Sequence, residues 1–172
     1  MPKQPHFQPP SHPVRTLAPW LLAGALGIGV GPLAAQDPID YPEGYRSWAH
    51  VKTLILHSGH ALADPFEGIH HVYANPSAVT ATQGGEVADG SVLVFDLLEA
   101  VTEGEATAEG QRKLLAVMVK DRARFAKTGG WGYEAWAGDS RSERLVSDGG
   151  ASCHGCHASQ ADSDYVFSRW RE

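Results

Sequence analysis

DGSVLVFDLLEAV, running from Asp89 to Val101, is the stretch whose reading decides the fold. Asp89-Gly90 is a turn signal, and Ser91 to Val101 behind it is dense in Val, Leu and Phe, as a buried strand requires. Gln111 to Asp121 (QRKLLAVMVKD) reads as a second strand, with Gly104 to Gly110 as an acidic loop between the two. Lys127 to Gly130 (KTGG) is a turn leading into Trp131 to Trp136 (WGYEAW). As a strand, that run puts Trp131 and Tyr133 on one face and Gly132 and Glu134 on the other. Upstream, Ile69 to Ala74 (IHHVYA) is a short β-rich run that stops at Asn75-Pro76. There Asn75 can cap, and Pro76 can open, a short helix through Thr82. Tyr45 to His60 places Trp48, Val51, Leu54 and Ile55 at helical spacing, which predicts a helix. Arg141 to Gly150 is polar and irregular, and a helix or turn follows it. The expected class is α+β: mainly antiparallel sheet, with helices flanking it near both ends.

That C-terminal element opens with Cys153-His154-Gly155-Cys156-His157, which holds the chain's two cysteines. Cys-x-x-Cys-His is the attachment pattern of a c-type haem. Two intervening residues let both thiols reach one porphyrin edge as thioethers, and His157 then supplies an imidazole nitrogen to the iron. Other readings of the cysteines exist. A redox disulfide normally follows a strand in a thioredoxin-like unit rather than standing near a C-terminus. A structural zinc site usually shows a second ligand pair, although His154 or a distant histidine would complete one. A structural disulfide over so short a loop would add little stability.

The N-terminus favours haem attachment. Residues Met1 to Thr16 contain Lys3 and Arg15 but no acid, and Leu17 to Leu33 is apolar, Gly-rich and broken by Pro19 and Pro32. Ala34-Ala35 supplies small residues for cleavage before Gln36. This is the build of a secretory signal peptide over residues 1–35, cleaved near Ala35, followed by a single domain over 36–172. The run is short for a membrane span, so after cleavage no membrane segment is expected; a retained anchor is the alternative. Either way the folded part lies outside the cytoplasm, and the periplasm is the expected location. The formal net charge is −6, and every acidic residue follows Gln36. An acidic mature surface argues against nucleic-acid binding.

A C-terminal haem motif on a β-rich domain suits neither the ordinary small cytochromes c, all-helical with an N-terminal motif, nor the four-helix cytochromes c'. The mature chain instead resembles the cytochrome P-460 family, and within it the cytochromes c'-β. The resemblance runs from Tyr45-Arg46-Ser47-Trp48 through Phe66, Val72-Tyr73-Ala74-Asn75-Pro76, Asp89-Gly90-Ser91-Val92, Val119-Lys120-Asp121, Arg124-Phe125 and Gly130-Trp131. It ends with the haem motif, Asp164-Tyr165-Val166-Phe167 and Arg169. It implies a homodimer of antiparallel-sheet subunits, each with one haem c ligated by His157. In the enzymatic branch, which oxidises hydroxylamine with nitric oxide involved, a lysine on the strand after the Asp-Gly turn is cross-linked to the porphyrin. The matching position here is Phe95, which has no nucleophilic nitrogen. The cytochromes c'-β cap the distal face with two phenylalanines, and the resemblance assigns those roles to Phe66 and Phe95.

Two rings over an open iron position remove hydrogen-bond partners from bound water, whereas uncharged diatomics lose little on entering an apolar pocket. The expected function is therefore reversible binding of nitric oxide and CO, in storage, scavenging or sensing, with no catalytic residue assigned. The alternatives are an enzyme oxidising hydroxylamine or nitric oxide, and a simple electron-transfer cytochrome with a periplasmic redox partner. Met118, in an apolar run, is expected in the core rather than on iron. His57, His60, His70 and His71 are expected at the surface or behind the site, and only one of the adjacent pair His70-His71 can face a haem. Arg46, Lys120 and Arg124 are candidates for haem propionates, with solvated surface charge as the default.

Overall fold

The computed structural model describes residues 38–84 and 87–171. The expected signal peptide lies outside the described residues, as does the start of the domain. Five strands form one antiparallel sheet in chain order: β1 (Ala49–Leu56), β2 (Gly68–Ala74), β3 (Val92–Glu103), β4 (Ala106–Lys120) and β5 (Trp131–Ala137). Short helices interrupt it: α1 (Ala63–Phe66), α2 (Pro76–Thr82) and α3 (Ala151–His157), the last running into a 3-10 segment, Ala158–Ser163. The expected α+β class and antiparallel sheet are found. The Val- and Leu-rich run after Asp89-Gly90 is the central strand, hydrogen-bonded on both sides.

The α2 expectation holds in detail. Pro76 occupies the first turn, and the Asn75 side chain accepts from the Ala78 N–H at 2.9 Å, satisfying one of the donors a helix start leaves free. The helix expected over Tyr45 to His60 does not form. Only Tyr45–Ser47 makes a 3-10 turn, and the rest is β1. The register skips Val51 between His50 and Lys52, a bulge that sends the buried Val51 into the core and breaks the strand's alternation. The acidic loop is likewise shorter than expected. Gly104 and Glu105 alone connect β3 to β4, with Gly104 at φ 61° in a two-residue hairpin loop.

The two sheet faces are covered differently. One carries Val94, Leu115, Val117 and Trp136, packed beneath Ile39, Tyr45 and Phe125. Buried there at 0 % exposure, the Asp96 carboxylate accepts from Tyr45 Oη (2.6 Å), Arg46 Nη2 (3.0 Å) and Arg112 Nε (2.6 Å). Burial, and next the bond to Asp96, push the Tyr45 hydroxyl up to about 12. Stranding such a carboxylate by removing its partner costs about 3–5 kcal/mol in comparable buried pairs. Arg46 is thus tied to Asp96, although its side chain stays 53 % exposed. The opposite face positions the candidate site.

Candidate functional site

Register sets the opposite face out in three rows. The first is Ala74, Leu93, Met118 and Tyr133, buried as one apolar cluster with α2 residues Ala78 and Ala81 against it. Met118 is core, as expected. The middle row is Lys52, Val72, Phe95, Ala116 and Ala135. Val72, Phe95 and Ala116 are only half-buried, although the Phe95 neighbours Val94 and Asp96 on the central strand are fully buried. The third row is Leu54, His70, Leu97, Leu114 and Ala137. The middle of this face is therefore apolar and partly uncovered, between α1 on one side and α3 on the other.

Helix α3 is the whole of the Cys-x-x-Cys-His motif plus two residues. Asp148 starts it: its two carboxylate oxygens accept from the Gly150 and Ser152 N–H groups at 2.9 and 2.8 Å. On the helix, Cys153 and Cys156 are one turn apart and both are free thiols. Cys153 packs against the first row, while Cys156 is exposed. Burial raises the Cys153 pKa, so that sulfur is a thiol at neutral pH rather than the activated thiolate of a redox pair. Among the described residues no group of three or more His, Cys, Asp or Glu side chains is gathered as a metal-binding cluster.

His157 closes the motif and is held on three sides. Its Nδ1 lies 2.8 Å from the Tyr165 carbonyl oxygen, which only accepts, so Nδ1 carries the proton and Nε2 keeps its lone pair. Tyr133 and Phe167 flank the ring at centroid distances of 5.2 and 5.0 Å. Burial holds the pKa below its ordinary value, keeping the imidazole neutral. A neutral imidazole with Nδ1 tied to a carbonyl is the arrangement in which Nε2 serves as a metal ligand. Tyr133 is 6 % exposed, and its hydroxyl has no partner within the described chain. A buried hydroxyl without a partner, on a ring packed against the His157 imidazole and next to a half-covered apolar row, fits a large planar group that completes this face.

Phe66 and Phe95, 29 positions apart in sequence, meet on that face. Their centroids are 6.0 Å apart and their planes perpendicular. Phe66 is brought there by side chains on the sheet. His70 Nε2 donates to the Phe66 carbonyl at 2.5 Å, and Lys113 Nζ donates to the carbonyls of Pro65 and Glu67 at 3.0 and 2.7 Å. Lys113 is the residue skipped by the β3–β4 register between Leu114 and Arg112, so a bulge turns it toward α1. Sequence reasoning missed Lys113, since nothing in a lysine's local pattern marks a bulge. The adjacent histidines do point oppositely. His71 Nδ1 meets Thr53 and its Nε2 pairs with Glu109, whereas His70 is 3 % exposed with its ring 4.7 Å from Phe95. His57 and His60 are exposed. Lys120 is 2 % exposed and bonded to Asp164, and the Arg124 guanidinium lies over the Phe125 ring, so the default of solvated charge fails for Lys120.

Burial lowers the His70 pKa, with nearby Lys113 and His71 adding to the effect. Below the ordinary value of 6.5 the unfolded chain takes up a proton that the folded chain refuses. Stability contributed by neutral His70 is thus complete above pH 6.5 and declines as pH falls below it. Thermal melts at pH 7.5 and 5.5 should show a smaller acid-induced drop for His70→Gln, which keeps a donor for Phe66 but cannot titrate. An equal drop in both proteins would assign the acid sensitivity elsewhere.

A search of curated proteins finds no match to this chain. The family described as Cytochrome P460 matches residues 42–168, a span that begins just before β1 and takes in the sheet, the aromatic pair and the thiol–histidine helix. The chain therefore belongs to the Cytochrome P460 family and is a haem-iron cytochrome.

Proposed function

We propose that this protein is an exported cytochrome of the c'-β kind, with one haem c per chain, that reversibly binds nitric oxide and CO. Cys153 and Cys156 would carry the thioethers, and His157 Nε2 would be the single protein ligand to iron. A haem held there would supply an iron able to bind small ligands. The residues around it do the selecting.

The observation that carries this reading is the perpendicular pair of Phe66 and Phe95 on the sheet face that also receives α3. Neither ring can donate a hydrogen bond, so water and dioxygen find no partner there, while nitric oxide and CO need none. The His70 imidazole, which packs on Phe95, has its Nε2–H committed to the Phe66 carbonyl. Phe95 also occupies the strand position at which the enzymatic branch is expected to hold its cross-linking lysine. Lys113 and Lys120 are engaged with carbonyls and with Asp164 respectively. The leader-like N-terminus supports export to the periplasm, where thioethers are formed. Leu54 and Ile55, 44 % and 42 % exposed on the edge strand β1, support a homodimer.

An electronic spectrum of the ferrous protein, with and without nitric oxide, tests the reading. The expected result is a high-spin five-coordinate haem c without the far-red shift of a lysine cross-link, converted stoichiometrically by nitric oxide and by CO. Hydroxylamine turnover should be negligible. A six-coordinate low-spin ferrous spectrum would make the protein an electron carrier, and enzyme-like hydroxylamine oxidation would place it in the enzymatic branch.

A further inference from the structure

The carbonyl that orients His157 belongs to a segment that is itself held from the sheet. Behind the 3-10 segment Ala158–Ser163 the chain reverses through Asp164 and Tyr165, at φ 49° and 65°. Neither is glycine, and consecutive left-handed residues with side chains persist only where their surroundings fix them. Two buried side chains at adjoining strand ends do so. Lys120, the last residue of β4, donates from Nζ to Asp164 Oδ1 at 2.7 Å and to the Gly129 carbonyl at 3.1 Å. Trp131, the first residue of β5 and fully buried, donates from Nε1 to the Asp164 carbonyl at 2.9 Å. The Tyr165 ring lies so close over Gly129 that a Cβ there would come within 2.4 Å of it.

We infer that Lys120 and Trp131 are positioning residues for His157: by gripping Asp164 they set the Tyr165 carbonyl that accepts from Nδ1, and so set the direction and donor strength of Nε2. Nothing in ordinary folding requires an ammonium at 2 % exposure at the end of a strand. Its counter-ion is the residue immediately before the carbonyl that fixes the imidazole. A shorter, better aligned Nδ1–H bond gives the imidazole more anionic character and makes Nε2 a stronger donor. The inference rests on the reading of His157 as the axial ligand.

The test uses the full haem-loaded protein and the iron–histidine stretching band of its ferrous form by resonance Raman, together with the reduction potential. Lys120→Met and Trp131→Phe should each shift that band to lower frequency and raise the potential, since a weaker donor stabilises ferric iron less. Asp164→Asn keeps a side-chain acceptor and tolerates the left-handed backbone but removes the counter-ion of the buried Lys120, so it should shift both readouts in the same direction as Lys120→Met and by less. Far-UV circular dichroism and the covalent mass establish that each variant is folded and loaded. Should Lys120→Met fail to fold, Trp131→Phe, which keeps an aromatic ring in place, carries the measurement. A wild-type band that no folded variant moves overturns this inference alone. A wild-type protein lacking the band removes the axial-ligand reading, and this inference with it.

Discussion

With Cys153 and Cys156 both changed to alanine, the protein should carry no covalently bound haem. Its mass should be that of the polypeptide, and acid–acetone should extract whatever haem remains. Wild type, made with a haem-maturation system, should instead gain the mass of one haem and resist extraction. The effect is all-or-none because the thiols are the chain's only two. Folding should suffer far less than attachment does. Cys156 is exposed, so its replacement should fall within about ±0.5 kcal/mol. Cys153 packs against the Leu93–Met118–Tyr133 row, and losing its sulfur there should cost on the order of 1 kcal/mol. The double variant should therefore keep its far-UV circular dichroism. Zinc in wild type in place of haem would refute the attachment reading outright. His157→Ala belongs to the same experiment: it should leave thioethers possible while abolishing the normal ligation spectrum.

What the sequence made legible follows from how local each signal is. The thiol–histidine motif, the Asn75-Pro76 helix start and the Asp89-Gly90 turn are each settled by a few adjacent residues, and each stands where it was expected. β1 reads falsely as a helix because the placing of its apolar residues depends on a partner strand. Trp48, Val51 and Leu54 stand three apart in sequence, which imitates a helix, yet Trp48 packs with one core cluster, Val51 is carried by the bulge into the other, and Leu54 stays exposed. The outer half of the β3–β4 hairpin reads falsely as a loop for another reason. It is exposed on both faces, so it has no buried row to create alternation, and its cohesion comes from backbone pairing and a Thr102–Thr107 hydroxyl contact at 2.8 Å. At the site, Phe95 was recoverable only through family resemblance. Its half-exposure between buried neighbours is a tertiary property, as is the deep burial of His70 and Lys120. Charge on a lysine or histidine says nothing about burial until its counter-ion or acceptor, far away in the chain, is brought beside it.

Trimming the aromatic pair should change gas binding most. The perpendicular contact of Phe66 with Phe95 is worth about 0.5–1.5 kcal/mol beyond simple burial. If the rings cap the iron as proposed, a ligand has to part them, and that energy then appears in the association barrier. Phe66→Ala or Phe95→Ala should then speed nitric oxide and CO association by roughly two- to tenfold. Both should also admit water and O₂, so that ferrous protein oxidises faster in air. Phe→Ala in a packed core costs about 3–5 kcal/mol. Both rings are only half-buried, so the loss of thermal stability should fall at or below the lower end of that range. Phe95→Lys separates pocket shape from chemistry, since it offers an amine where the enzymatic branch is expected to carry one. Burial must first lower that amine's pKa before it can act as a nucleophile. Peptide mapping of this variant should find the introduced amine either free or joined to the porphyrin. In wild type it should find no lysine adduct, including at Lys52, which is exposed and two strands away in the same row. Stopped-flow association rates decide the matter: if both alanine variants fold, carry haem and bind nitric oxide at the wild-type rate, the rings do not cap the iron and the proposed pocket is wrong.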